Sequence, residues 1–149
     1  MTVESNTIEQ QKSMARRLLE LWDSNNNSLT DAESLVAKNY QSNQNPYVKG
    51  QCQALSFDDW TALVTSYREA FSNSKVETFE QVAQDNLVST RWQITATQTA
   101  PFQGRASSST DPISWTGISI DRIDNGKIVE SWVSWDMYTF MLESGHLAV

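Results

Sequence analysis

Apolar residues recur at three- and four-residue intervals through the first half of the chain and at every second position through much of the second half. The first spacing gathers side chains on one face of a helix, and the second on one face of a strand. Thr7-Ile8-Glu9-Gln10 has the spacing of a capping box, and Met14, Leu18, Leu21 and Trp22 follow it on one helical face. Asp23-Ser24-Asn25-Asn26-Asn27-Ser28 should end that helix, because such side chains bond the local backbone in turns. Thr30-Asp31-Ala32-Glu33 repeats the capping spacing, and Leu35, Val36 and Tyr40 predict a short second helix to about Tyr40. A polar loop with Asn45-Pro46 and Gly50 comes next. Ser56 opens a third helix, with Asp58 and Asp59 in the first turn where the macrodipole favours them and Trp60, Leu63, Val64, Tyr67 and Phe71 along one side.

Beyond Ser72-Asn73-Ser74 the period drops to two and β-branched residues become frequent. Strands are predicted over 75–83 and 87–99, joined by a turn at Gln84-Asp85-Asn86, and over 115–123 and 127–135. Asp124-Asn125-Gly126 joins the last two, since Asn-Gly supplies the positive φ values a tight hairpin needs. The serine-rich stretch 104–112 reads as a mobile loop, and 137–142 as a closing helical segment ended near Gly145. Helices first and a strand meander second is the order of an α+β domain rather than of a parallel βαβ sheet.

A chain of 149 residues fits one domain, with residues 1–6 expected as a disordered tail. Eighteen acidic against eleven basic residues leave a net charge of −7, and the cations are scattered, so nucleic acid and anionic membranes are poor partners. Cys52 is the only cysteine and His146 the only histidine. Intramolecular disulfides are therefore excluded, and a Cys-His pair or a transition-metal site is not expected. Neither a signal peptide nor a membrane-spanning run is evident, which points to the cytoplasm.

The stretch 91–136 carries RWQITATQTAPFQG and then SWTGISIDRIDNGKIVESWVSWD. With Trp115, Gly117, Ile118, Ile120, Arg122, Gly126, Lys127, Ile128, Val129, Glu130, Trp132 and Asp136 in place, it resembles the SnoaL-like polyketide cyclase and ester cyclase family. Upstream, Gln44-Asn45-Pro46 and Gly50 resemble that family's His-Asn-Pro loop and following glycine. The resemblance implies a cone-shaped, curved antiparallel sheet with N-terminal helices packed on its concave face around a pocket, usually as a homodimer. It also implies aldol closure of a polyketide ester by an acid/base residue, with no metal or organic cofactor. Aligned through Gly126-Lys127-Ile128-Val129-Glu130, the family's catalytic Asp falls on Val133 and its neighbouring-strand His on Ser119, while its Thr-His-Thr turn becomes Thr97-Gln98-Thr99.

Valine transfers no proton, so the acid/base role needs another candidate. Alternation sets Asp121 alone among ionisable residues on the face of Trp115 and Ser119; the alternative is a strand-end aspartate paired with Arg91 or Arg122, or simply solvated. Asp136 matches the family pattern, yet its place before the last helix is also that of an N-cap. Trp22, Tyr67, Trp92, Trp115 and Trp135 are candidates to line a site for a hydrophobic or aromatic small molecule, or to be ordinary core. Asn45 and Gln98 could hold a carbonyl oxygen without changing charge, and Ser119, Ser131 and Val133 complete the candidate ligand contacts. Three functions follow: a cyclase or isomerase acting on a hydrophobic carbonyl compound, a non-catalytic carrier, or a dimerisation scaffold whose interior is filled by side chains. Two or more hydrogen-bonded ionisable groups deep in a cavity would favour the first, and an all-amide and aromatic lining the second.

Overall fold

The computed structural model describes residues 7–24, 29–45, 53–107 and 110–146. The expected tail at 1–6, the turn residues 25–28, and Pro46, Gly50 and Cys52 lie outside the described residues. Helix α1 spans Ile8–Glu20 and starts with the predicted capping box: Gln10 N–H donates to Thr7 Oγ1 (3.1 Å) and Thr7 N–H donates to Gln10 Oε1 (2.8 Å). It buries Met14, Ala15, Leu18 and Leu19.

The second predicted helix is mostly a strand. Helix α2 covers only Ala32–Leu35, Asp31 makes no side-chain cap, and at Val36 the backbone turns extended to begin β1, Val36–Gln44. Residues four apart share a face in either a helix or a strand, so Val36 and Tyr40 fitted both periods. Hydrogen bonding to a neighbouring strand decides between them. Strand β2, Gln53–Ser56, pairs antiparallel with β1, and Ser56 also caps α3, Phe57–Ala70, by accepting from Asp59 N–H (3.2 Å).

Four strands follow: β3 Lys75–Gln84, β4 Leu87–Ala96, β5 Ile113–Asp124 and β6 Lys127–Trp135. The β3–β4 and β5–β6 turns have positive φ at Asp85 and Asn86 and at Asn125 and Gly126, the signature of two-residue hairpins. Strand β4 stops at Ala96, short of the predicted Thr99; Gln98 makes only an isolated bridge to Phe71. The sheet order is β2-β1-β6-β5-β4-β3. Because β1 lies parallel to β6, this open sheet is mixed and not wholly antiparallel as expected. No hairpin links β1 to β6, so nothing local forces them antiparallel.

Helices α1 and α3 cover the concave face, and burial along β5 alternates strictly, odd positions inward. Inside, one cluster gathers Met14, Leu18, Leu35, Tyr40, Trp60 and Ile128, another Tyr67, Phe71, Trp92, Trp115 and Phe140, and Trp22 packs against both. Helix α4, Met137–Glu143, is capped by Asp136, which accepts from Thr139 N–H (2.9 Å) and Thr139 Oγ1 (2.6 Å); these bonds hold its pKa below the usual value. No helix among the described residues is long and apolar enough to cross a membrane.

Candidate functional site

The register of the last hairpin builds the site. Gly117 lies opposite Trp135, Ser119 opposite Val133 and Asp121 opposite Ser131, so the inward parity of β5 carries over to β6. Between these strands and the helices lies a cavity of about 330 Å3. Its apolar walls come from Leu18, Leu19 and Trp22 of the first helical region, Trp60, Leu63 and Tyr67 of α3, Trp92 and Ile94 of β4, Trp115 of β5, and Phe140 and Met141 of α4. Polar atoms are few and grouped. Tyr40, Ser42, Ser119, Asp121 and Ser131 belong to one deeply buried set, whereas Gln103 and Arg105 are exposed lining residues and mark an opening.

Asp121 is 1% exposed. Ser131 Oγ donates to its Oδ1 at 2.5 Å, and Tyr40 OH donates to Ser131 Oγ at 2.9 Å. Its second oxygen, Oδ2, has no hydrogen-bond partner among the described residues. Loss of water disfavours the carboxylate and pushes the pKa up to about 7, while the Ser131 hydrogen bond pulls partly the other way. Burial, and after it the Asp121 charge, raises the Tyr40 phenol well above its ordinary value. The alternative partners are committed elsewhere: Arg91 forks onto Glu80 (2.7 and 2.9 Å) and Arg122 reaches Glu130 (2.8 Å), both on the other side of the sheet.

Trp22, Tyr67, Trp92, Trp115, Ser119, Asp121, Ser131, Val133 and Trp135 all line the cavity. Asn45 and Gln98 do not. Asn45 Oδ1 accepts from Trp135 N–H (2.8 Å) and its own N–H donates to Val133 O (2.7 Å), so it continues the β1–β6 pairing. Gln98 Nε2 donates to Ala100 O (3.0 Å) and Arg105 O (2.7 Å), which fastens a loop. Their donor and acceptor atoms serve backbone that secondary structure leaves unpaired. Sequence reasoning missed Tyr40, Ser42 and Trp60 as lining residues; the two on β1 alternate inward once that segment is read as a strand. Arg105 and His146 were also missed, because only loop folding brings them to the cavity. Ser119 Oγ accepts from Trp92 Nε1 (2.9 Å), which leaves its hydroxyl hydrogen free to donate.

Among the described residues no three of His, Cys, Asp and Glu cluster as metal ligands. Chemically the arrangement offers one carboxyl poised near neutrality in an apolar hollow, a hydroxyl donor two residues away on the same strand face, and a hydrogen-bonded Ser-Tyr chain behind it.

The sequence model of the SnoaL-like polyketide cyclase family matches residues 12–143. AclR, a proposed hydroxylase from Streptomyces galilaeus, superposes with a TM-score of 0.79 at 20% identity, covering 95% of this chain and 100% of its own. IdmH, a proposed polyketide cyclase from Streptomyces antibioticus, gives 0.75 at 20% identity, with 91% and 99% covered. A proposed SnoaL-like polyketide cyclase from Jannaschia sp. CCS1 gives 0.79 at 15% identity, with 97% and 99% covered. No curated protein sequence matches the chain.

Proposed function

The chain belongs to the SnoaL-like polyketide cyclase family, and from that premise we propose that its cavity takes a hydrophobic carbonyl compound on which Asp121 performs acid/base catalysis. The single observation that carries this reading is the buried Asp121 carboxyl, with one oxygen held by Ser131 and the other unpartnered among the described residues. In the proposed step the carboxylate removes a proton α to the carbonyl. Ser119 donates its free hydroxyl hydrogen to the oxygen that gains charge; neighbours two apart on a strand face are about 7 Å apart, room for the reacting carbons between them. The carbanion then closes on a second carbonyl, or the double bond shifts, and Asp121 returns the proton to the new alkoxide or carbon. Proton count and charge balance, and the surrounding tryptophans keep water from quenching the carbanion.

A carrier without turnover is the second reading, favoured by Val133, an aliphatic group where the resemblance implies the catalytic acid. Proton NMR in D2O on a bicyclic ketone such as 2-tetralone separates the two. The enzyme should speed α-hydrogen exchange, with a rate that climbs with pH to a plateau above about 7 as the carboxylate forms. Asp121→Asn should cut that rate about 100-fold or more. Exchange that D121N leaves untouched would remove Asp121 as the base, and no exchange with ligand still bound would favour the carrier.

A homodimer belongs to the same proposal, with the outer face of the sheet as the contact, since Ile118 and Ile120 are 47% and 39% exposed there. A cytoplasmic setting goes with it, because a chain with one cysteine gains no internal disulfide from an oxidising compartment.

A further inference from the structure

We infer that the mouth of the cavity is an anion site, in which Arg105 receives the carboxylate of an elongated, otherwise apolar ligand whose far end lies against Asp121. The inference rests on the ligand reading above and adds to it the class of substrate: a hydrophobic carbonyl acid rather than a neutral ketone or ester.

Arg105 sits at the end of a tight turn that is fixed on both sides. Phe102 N–H donates to Arg105 O (2.9 Å) and Arg105 N–H donates to Phe102 O (3.0 Å), with Gln103 and Gly104 between them at φ 51° and 78°. Phe102 anchors the turn inward, its ring edge-on to Tyr67 and Phe71 at 6.0 and 5.6 Å. Gln98 Nε2 holds the Arg105 carbonyl from the sheet side (2.7 Å). A backbone tied this firmly has little of its own entropy left to lose on binding, so the ordering cost that remains is that of the Arg105 side chain. That is a specific use for the buried Gln98 amide, which reaches the ligand only through the arginine it positions.

The charge of Arg105 is the second observation. Arg105 lines the cavity, is exposed, and forms no ion pair among the described residues, in a protein whose net charge is −7. Glu143 of α4, which shares this end of the molecule, has its Oε2 on Ser114 N–H (2.9 Å) and does not line the cavity. Gln103 adds an amide donor, and His146 lies beside them, its ring against Phe140 and its Nε2 3.2 Å from Ala106 O. A guanidinium presents a planar fork that fits both oxygens of a carboxylate.

Geometry sets the length. The turn follows the end of β4, where Ala96 pairs with Ile113, whereas Asp121 is eight positions further along β5 and pairs with Val88. Eight residues of strand span roughly 26 Å before curvature and side-chain reach are subtracted. A ligand that meets both ends is therefore long, and Trp22, Trp115, Trp135 and Phe140 of the same cavity suit several fused or linked rings.

Two fluorescence-quench titrations of the purified protein test this, one with anthracene-2-carboxylate and one with anthracene-2-carboxamide, read on the tryptophans at low salt. The carboxylate should bind up to about fivefold more tightly, the upper end of what an exposed charge pair contributes. That preference should shrink as salt is added. Arg105→Gln should abolish it, the carboxylate losing far more affinity than the carboxamide, and Arg105→Lys should retain part of it. Equal binding of the two compounds, or a preference that survives R105Q, overturns the anion site while the pocket reading stands. No binding of either compound overturns the pocket reading and this inference with it.

Discussion

A carboxyl group stripped of water keeps its proton to higher pH, and Asp121 does so to about pH 7 where the ordinary value is 3.8. Between those two values the folded chain holds a proton that the unfolded chain has released. Stability should therefore fall as pH rises through that window and level off above it. Asp121→Asn cannot ionise, so its stability relative to wild type should climb by on the order of a few kcal/mol between pH 4 and pH 8, read by urea denaturation at each pH. A difference flat with pH would show that the carboxyl is not desolvated. Ser131→Ala removes the bond that favours the charged form, so the midpoint of the exchange profile should move above that of the wild type. How far this site was legible is clear at single residues. Alternation alone sets Asp121 and Ser119 inward, but pairing Asp121 with Ser131 requires the register, and adding Tyr40 requires a strand that the sequence presents as a helix.

Elements meet at close range where β4 and β5 pair. Trp92 lies directly across from Gly117, and a Cβ on Gly117 would come within 2.3 Å of the indole. The ring fills the place of the missing side chain and from there donates Nε1–H to Ser119. Gly117→Ala should force Trp92 aside and destabilise the fold by roughly 1–3 kcal/mol. It should also red-shift tryptophan emission as the indole loses its hydrogen bond and burial. An unchanged urea midpoint would mean that the strands part easily to admit a methyl group. The Trp-x-Gly spacing at Trp115 and Gly117 is plain in the sequence, whereas its purpose, room for a ring on the neighbouring strand, is not.

For the whole molecule, the homodimer proposed above would place the outer face of the sheet at its contact. Ile120 pairs across to Trp132, Ile118 to Ser134, and both isoleucines lie on the face opposite the cavity. An apolar strip on an otherwise acidic protein is stabilised by covering it with a second copy. Light scattering after size exclusion should give twice the chain mass for wild type and the chain mass for Ile118→Lys combined with Ile120→Lys. The double variant should keep its ligand titration, since neither side chain reaches the cavity. A monomeric wild type, or a double variant that stays paired, would leave this face without the proposed role.

The sequence by itself determined what short-range physics controls: the α1 capping box, the turn before β4, the Asn125-Gly126 hairpin, the α3 face, the Asp136 cap, and the inward parity of β5. Each follows from a few consecutive side chains and their backbone. Tertiary structure alone decided what depends on distant partners. Residues 36–44 became a strand because β6 supplied hydrogen bonds that a spacing of four cannot foretell. Asn45 and Gln98 turned from candidate ligand contacts to backbone clamps because unpaired carbonyl and amide groups lay nearer to them than the cavity did. Arg105 reached the cavity mouth, sixteen positions from Asp121 in the chain, because a half-buried phenylalanine and a glutamine amide fix the turn that carries it.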